Sequence, residues 1–290
     1  MNQLYRPSNK FTPQGVILGL AAGVAASLPL GFLYVYGLWM VDSVKLRGIS
    51  PLAYGAAVGA VCGLAMCWGK VRSPFVAGIV GSVSGLFAWY FSWLVWLLHL
   101  IFPSFWIFNP MHLALHPGKI WQVVLEVNAK GTWGMTAGSP ATGTWLWTIW
   151  LAELLCIVGF SAAAALALVV RKPFCERCQS WCSEISKLYF APVVQPAEIK
   201  QRAESADCAW ISGLAAGDKK KAHYRIDIHS CGTCHTLNTL TLVQNFPRNV
   251  KTLVGKLVLS DDQAATLRHM ALRQSMQAGA AVSELSSTSK

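Results

Sequence analysis

The sequence predicts a mainly α-helical protein, with a four-helix transmembrane bundle followed by a small α+β soluble domain. Three observations lead to this fold class. Of the 290 residues, 54% are hydrophobic and only 13% are charged, unlike an average soluble domain. Residues 1–170 carry 8 Lys or Arg and 3 Asp or Glu, whereas residues 171–290 carry 16 and 10. Two Cys-x-x-Cys pairs lie in this second, more polar part.

Four apolar stretches are long enough to be spanning helices, which need about 20 residues each. They cover about 14–41, 51–68, 74–102 and 145–170. These spans define a transmembrane domain over residues 14–170, with an N-terminal segment at 1–13 and an outer loop at 103–144. Within this loop, residues 118–129 read as an amphipathic helix lying at the outer interface.

Lysine and arginine near the ends of the spans indicate the orientation, because these residues are enriched in cytoplasmic loops. Seven basic residues share one side and four share the other. The first side holds Arg6, Lys10, Lys70, Arg72, Arg171, Lys172 and Arg177, and the second holds Lys45, Arg47, Lys119 and Lys130. The excess predicts that both termini are cytoplasmic, in a bacterial inner membrane.

Glycines recur at four-residue spacing in three of the spans, which places a flat strip on one face of each helix. The strips are Gly19/Gly23, Gly55/Gly59/Gly63 and Gly81/Gly85. They favour close packing within one bundle, and homo-oligomerisation through the same faces is the alternative.

Glu153 is the carboxylate that falls inside a predicted span. An ionisable group at this depth is costly unless it is paired. We expect His99 of the third span to be its partner, because the two residues fall at similar depths. Such a pair could relay protons or hold a cation, or it could be a hydrogen bond within the bundle.

Residues 171–276 are expected to form the soluble domain, and residues 277–290, small and polar, a disordered tail. A Cys-bearing turn region comes first. A helical stretch follows at 196–215. Two strands, at 224–228 and 237–243, then flank a second Cys-bearing turn, and a final helix starts at Ser260.

The two Cys-x-x-Cys pairs are Cys175/Cys178 and Cys231/Cys234. Two short-spaced pairs can supply the four thiolates of a tetrahedral zinc site. The strand–turn–strand around Cys231-Gly-Thr-Cys234 resembles the second half of a zinc ribbon, and Phe174-Cys-Glu-Arg-Cys178 resembles the first. The resemblance implies one structural zinc per chain. The residues that could serve as additional ligands are Cys182, Cys208 and His235.

Two other chemistries remain open for these cysteines. Cys231-Gly-Thr-Cys234-His235 is also the pattern to which c-type haem is attached, which requires a tail outside the cytoplasm. Dithiol redox chemistry is the second, although a redox Cys-x-x-Cys usually opens a helix and neither pair is predicted to do so.

The predicted function is non-enzymatic, because the phosphate-binding, zinc-protease and serine-hydrolase motifs are absent from the sequence. We expect the zinc domain to dock or sense a protein partner while the helices anchor it in lipid. The apolar part is similar to that of many small bacterial membrane proteins. A transporter or channel that uses Glu153 and His99 is the alternative. The basic run at 219–221 is expected to be a solvated loop, so nucleic acid is not an expected partner.

Overall fold

A computed structural model describes residues 4–40, 43–101, 116–131, 141–192, 201, 211, 214–218, 221–247 and 249–273. The chain divides into two compact units. One unit is Ser8–Arg171, and the other combines Met1–Pro7 with Lys172–Lys290. The predicted disordered tail at 277–290, and most of the helical stretch predicted at 196–215, lie outside the described residues.

The first unit contains four long helices: α1 (Pro13–Met40), α2 (Val44–Trp68), α3 (Pro74–Ile101) and α5 (Gly143–Arg171). All four are long and apolar enough to cross a membrane, which agrees with the four spans predicted. A shorter helix, α4 (Pro117–Lys130), precedes α5. It corresponds to the amphipathic helix predicted at 118–129, and its buried face is formed by Ile120, Val124 and Val127.

Helix α2 begins at Val44, seven residues before the start predicted for the second span. The apolar stretch in the sequence starts only at about residue 51, because Lys45 and Arg47 precede it. Proline lacks the N–H that would bond the carbonyl four residues earlier. Here the Ser50 hydroxyl donates to the Arg47 carbonyl at 2.8 Å. This bond supplies a donor where Pro51 has none, and the helix continues through the proline.

The glycine strips lie at helix–helix contacts within the bundle. A Cβ atom on any glycine of the α2 strip would meet α5, at Ile157, Ser161 and Ala165 in turn. Gly81 and Gly85 of α3 also face α5, and the Ser161 hydroxyl donates to the Gly81 carbonyl at 2.8 Å. The strips therefore serve packing within the chain, as the sequence favoured.

The second unit is built on an antiparallel four-stranded sheet in the order β3–β4–β5–β6. The strands are β3 (Ser183–Phe190), β4 (His223–Ser230), β5 (Asn238–Phe246) and β6 (Asn249–Leu259). A two-stranded hairpin, β1 (Phe174–Cys175) and β2 (Ser180–Trp181), precedes the sheet. The two predicted strands are confirmed as parts of β4 and β5, whereas β3 and β6 were not predicted.

Helix α6, residues 261–273, follows the last strand. The Ser260 hydroxyl accepts from the Gln263 N–H at 3.3 Å, and the Ser260 N–H donates to the Gln263 side chain at 2.9 Å. This reciprocal pair is the capping box that the sequence predicted. Ala264 and Leu267 are fully buried in one core with the apolar side chains of the sheet.

The N-terminal segment pairs with this second unit. Leu4 forms an antiparallel bridge with Leu257, and the Tyr5 N–H donates to the Lys256 carbonyl at 2.9 Å. The Tyr5 hydroxyl accepts from the Phe174 N–H at 2.9 Å. The sequence predicts an N-terminal segment over residues 1–13 that is separate from the domain at 171–276. Residues 4–5 instead join the outer strand β6 to the first cysteine hairpin.

We expect Tyr5→Phe to destabilise the second unit by about 0.5–1.5 kcal/mol, the usual net value of one hydrogen bond. The change leaves the Phe174 N–H without the Tyr5 acceptor and keeps the ring. The measurement is the denaturant concentration at which half of this unit is unfolded. Limited proteolysis of the full chain in detergent monitors the unfolding. Tyr189→Phe, on the edge strand β3, is the comparison variant. A midpoint for Tyr5→Phe equal to that of the unmodified protein would contradict the role of this residue.

Candidate metal centre

The first cysteine pair lies at the end of the hairpin β1–β2. Phe174 is opposite Trp181 in the register, and their rings are in edge contact at 5.0 Å. Cys175 ends β1, and a turn over residues 176–179 carries Cys178. Gln179 closes this turn with a positive φ of 52°. The hairpin thus presents two thiols from one short turn.

The second pair lies in the connection between β4 and β5. Cys231 follows the last residue of β4, and its N–H donates to the Leu237 carbonyl at 3.0 Å. The His235 N–H donates back to the Cys231 carbonyl at 3.1 Å, and His235 has a φ of 55°. The Asn238 side chain donates to the His235 carbonyl at 2.8 Å. These bonds fold the connection into a compact turn that carries Cys234.

The folded domain brings the two pairs together. The sulfurs of Cys175, Cys178, Cys231 and Cys234 all lie within 4.8 Å of one another. Cys175 Sγ and Cys234 Sγ are 3.6 Å apart. A tetrahedral zinc site with Zn–S bonds of about 2.3 Å requires sulfurs about 3.8 Å apart. The donor set and the spacing therefore fit a metal ion held by four thiolates.

The surroundings of the cysteines favour negative charge at the second pair. Burial opposes ionisation of Cys231, but the N–H groups of Cys234 and Thr233 and the Ser180 hydroxyl lower its pKa to about 5. The Thr236 hydroxyl and N–H lower the pKa of Cys234. The sequence does not single out Ser180 and Thr236, although Thr236 lies only two residues from Cys234.

The first pair behaves in the opposite way. Its hydrogen bond with Cys234 raises the pKa of Cys178 to about 12, and burial raises the pKa of Cys175. Thiols that share one small space cannot all ionise without a compensating positive charge. A bound cation would supply this charge, and metal binding would release the protons.

Two of the three additional candidate ligands, Cys182 and His235, are described, and neither belongs to this group of four. Cys182 is buried beside Cys175 and Cys231, and burial followed by the charge of the neighbouring thiols raises its pKa to about 12. It therefore behaves as a neutral thiol packed against the site. His235 lies in the second turn, but its ring is not a member of the group. Cys208 lies outside the described residues.

Both Cys-x-x-Cys pairs lie in turns that connect β-strands. Neither pair opens a helix, so no helix dipole acts on a redox nucleophile here. The cysteines at both pairs are free thiols.

The predicted pair of Glu153 and His99 is not formed. Glu153 instead accepts a hydrogen bond from the Tyr34 hydroxyl at 2.6 Å. The His99 ring lies against Trp39, with ring centroids 4.6 Å apart, and against Tyr36. Similar depth in the membrane therefore does not identify the partner of Glu153, because this side chain contacts α1 and not His99 of α3.

The contact of Glu153 continues into a polar cluster that joins the four long helices. The Tyr34 ring is stacked on Tyr54 of α2, with centroids 4.9 Å apart. The Tyr54 hydroxyl lies within hydrogen-bond distance of the carbonyls of Ser27 and Ala88, at 3.2 and 3.0 Å. These interactions satisfy polar groups inside an apolar bundle, which is a structural role.

If the cluster is structural, Glu153→Gln should leave the proton and cation permeability of reconstituted liposomes unchanged. A glutamine amide can still accept from Tyr34, so the expected loss of stability is about 0.6 kcal/mol, an average value for hydrogen bonds in membrane proteins. The measurement is a flux assay on matched liposomes, with Tyr34→Phe as the companion variant. A flux that is present in the unmodified protein and lost in Glu153→Gln would instead favour a transporter.

Comparison of the chain with protein-family models, with curated proteins and with solved structures finds no match.

Proposed function

We propose that this chain is a membrane-anchored, non-enzymatic docking or sensing protein whose soluble domain is stapled by one structural zinc ion. Zinc would be held by Cys175, Cys178, Cys231 and Cys234. The observation that carries the proposal is the convergence of these four sulfurs within 4.8 Å from two separate turns. Four thiolates in tetrahedral geometry are a usual ligand set of structural zinc sites, whose coordination is full and leaves no open position for substrate.

The proposed location is a bacterial inner membrane, with both termini in the cytoplasm. The excess of basic residues on one side of the spans supports this orientation. The pairing of Leu4 with Leu257 supports the placement of both termini on one side, because residues that pair in one sheet lie on the same side of the membrane. A cytoplasmic position keeps thiols reduced and available for metal.

The proposed docking surface is the outer edge of β6. This strand is at one end of the sheet order, so one side of its backbone faces away from β5. Among the described residues, Leu4 and Tyr5 pair with it only near Leu257. The first half of β6 includes Val250, which is 69% exposed. An extended segment of a protein partner could add there as a further strand.

A photoreactive amino acid at position 250 tests this function in cells. We expect a discrete adduct with a partner protein that disappears in Cys231→Ser, because loss of the metal would unfold the sheet. Position 272, which is 60% exposed on α6, is the control position. No adduct at position 250, or an adduct that persists in Cys231→Ser, would contradict docking at this edge.

A further inference from the structure

An arginine from the C-terminal helix contacts both ends of the second cysteine turn. Arg268 of α6 donates through one guanidinium nitrogen to the Ser230 hydroxyl at 3.0 Å. The same nitrogen lies 2.9 Å from the Asn238 side-chain oxygen. Ser230 immediately precedes Cys231, and Asn238 begins β5 after the turn. Arg268 thus links the residues at which the turn leaves and re-enters the sheet.

Asn238 extends this link in two further directions. Its side-chain nitrogen donates to Asp261 at 3.0 Å and to the His235 carbonyl inside the turn at 2.8 Å. Asp261 is the first residue of α6. The helix therefore reaches the cysteine turn from two positions, and Asn238 is common to both.

The acceptors of Arg268 are enclosed by the protein. Ser230 is fully buried and Asn238 is 1% exposed. They are also directly opposite each other in the register of β4 and β5. Buried polar groups that lose their partner cost about 1–3 kcal/mol, so this network strongly favours one geometry. That geometry fixes the ends of the turn that carries Cys231 and Cys234.

We propose that Arg268 is a positioning residue for the four-cysteine centre and that it couples metal occupancy to the docking of α6. This inference rests on the proposed metal site. Partners that orient metal ligands from outside the coordination shell are commonly worth a factor of about 10–100 in metal affinity. Coupling is reciprocal, so a docked helix raises metal affinity by the same factor by which bound metal favours docking.

Apolar contacts also hold α6 against the sheet. A test of Arg268 must therefore distinguish coupling to the metal site from a general loosening of the helix. Leu267 is fully buried in the sheet core next to Arg268. Leu267→Ala should loosen the helix without touching the cysteine turn directly. If Arg268 transmits the effect, loosening the helix lowers metal affinity only while Arg268 is present. A double-mutant cycle of the two changes therefore separates coupling from general destabilisation.

The experiment uses the full chain in detergent, first stripped of metal and then titrated with Zn²⁺ against a chelating dye. Hydrogen exchange of residues 261–273 is followed with and without Zn²⁺. The variants are Arg268→Met, Leu267→Ala, the double variant, and Arg273→Met as an exposed control on the same helix. If Arg268→Met does not accumulate, Ser230→Ala removes one of its two acceptors and should give a smaller shift of the same sign.

We expect Arg268→Met to weaken Zn²⁺ binding about 10-fold or more, and Arg273→Met to bind like the unmodified chain. Zn²⁺ should slow hydrogen exchange of residues 261–273 in the unmodified chain but not in Arg268→Met. Adding Leu267→Ala to Arg268→Met should not change the Zn²⁺ affinity any further. Unchanged Zn²⁺ affinity in Arg268→Met, or additive effects in the cycle, would overturn the coupling while leaving the metal site intact. An unmodified chain that binds no Zn²⁺ would overturn both the coupling and the proposed function.

Discussion

Cys231→Ser is expected to abolish metal binding and to unfold the second unit, Met1–Pro7 with Lys172–Lys290. Cys231 is fully buried, and the N–H groups of Cys234 and Thr233 stabilise its sulfur as a thiolate. Structural zinc contributes on the order of 10 kcal/mol of apparent binding free energy to small domains, which is comparable to the total stability of about 5–15 kcal/mol of a typical domain. The measurement combines metal content per chain with limited proteolysis of the full-length protein.

Cys182→Ala is the matched control for this variant. Cys182 is equally buried and lies in the same apolar cluster, but it is not one of the four converging sulfurs. We expect its metal content to equal that of the unmodified protein, with only a small loss of stability from the smaller side chain. A protease-resistant second unit in Cys231→Ser, or loss of metal in Cys182→Ala, would contradict this assignment of the ligands.

Gly59→Ala is expected to have the second largest effect, on the bundle of four long helices. A Cβ at this position would overlap the Ser161 carbonyl oxygen and lie 2.7 Å from the Ser161 Cα. These are backbone atoms of α5, which cannot rotate away, so α2 and α5 would have to separate. Overpacking of this kind costs about 1–3 kcal/mol and sometimes more. Thermal unfolding in detergent, followed by size-exclusion chromatography, measures the loss.

Gly159→Ala supplies the comparison on the opposing helix. A Cβ added there meets nothing within 4 Å. We expect unfolding of this variant at the same temperature as the unmodified protein, or slightly higher because alanine is the better helix former. Equal thermal stability of Gly59→Ala and Gly159→Ala would show that the close contact of α2 with α5 does not hold the bundle together.

The features that could be predicted from the sequence are those that depend on local pattern. Apolar length gave the four spans, because about 20 apolar residues are needed to cross a bilayer. The alternation from Tyr224 to Ile228 gave β4, and the spacing of Ser260 and Gln263 gave the cap of α6. The Cys-x-x-Cys spacing predicted two turns whose thiols would converge, and the folded chain brings them together.

The features that could not be predicted depend on contacts between distant residues. β3 is irregular, with a register shift between Glu184 and Ser186, which breaks the alternation that marks a strand. The pairing of Tyr5 with Lys256 and Phe174 joins opposite ends of the chain. Glu153 bonds to Tyr34 because these two side chains lie on the facing sides of α1 and α5. The depth of a residue along its helix does not predict which faces are in contact.

Elemental analysis of the purified, tag-free protein tests the central claim most directly. Four free thiols within 4.8 Å of one another are the feature on which the proposed function depends. We predict about one zinc atom per chain, retained under reducing conditions, as expected for a single tetrahedral thiolate site. A protein purified without metal that also fails to take up added Zn²⁺ would contradict the account, and the four thiols would then be candidates for redox chemistry.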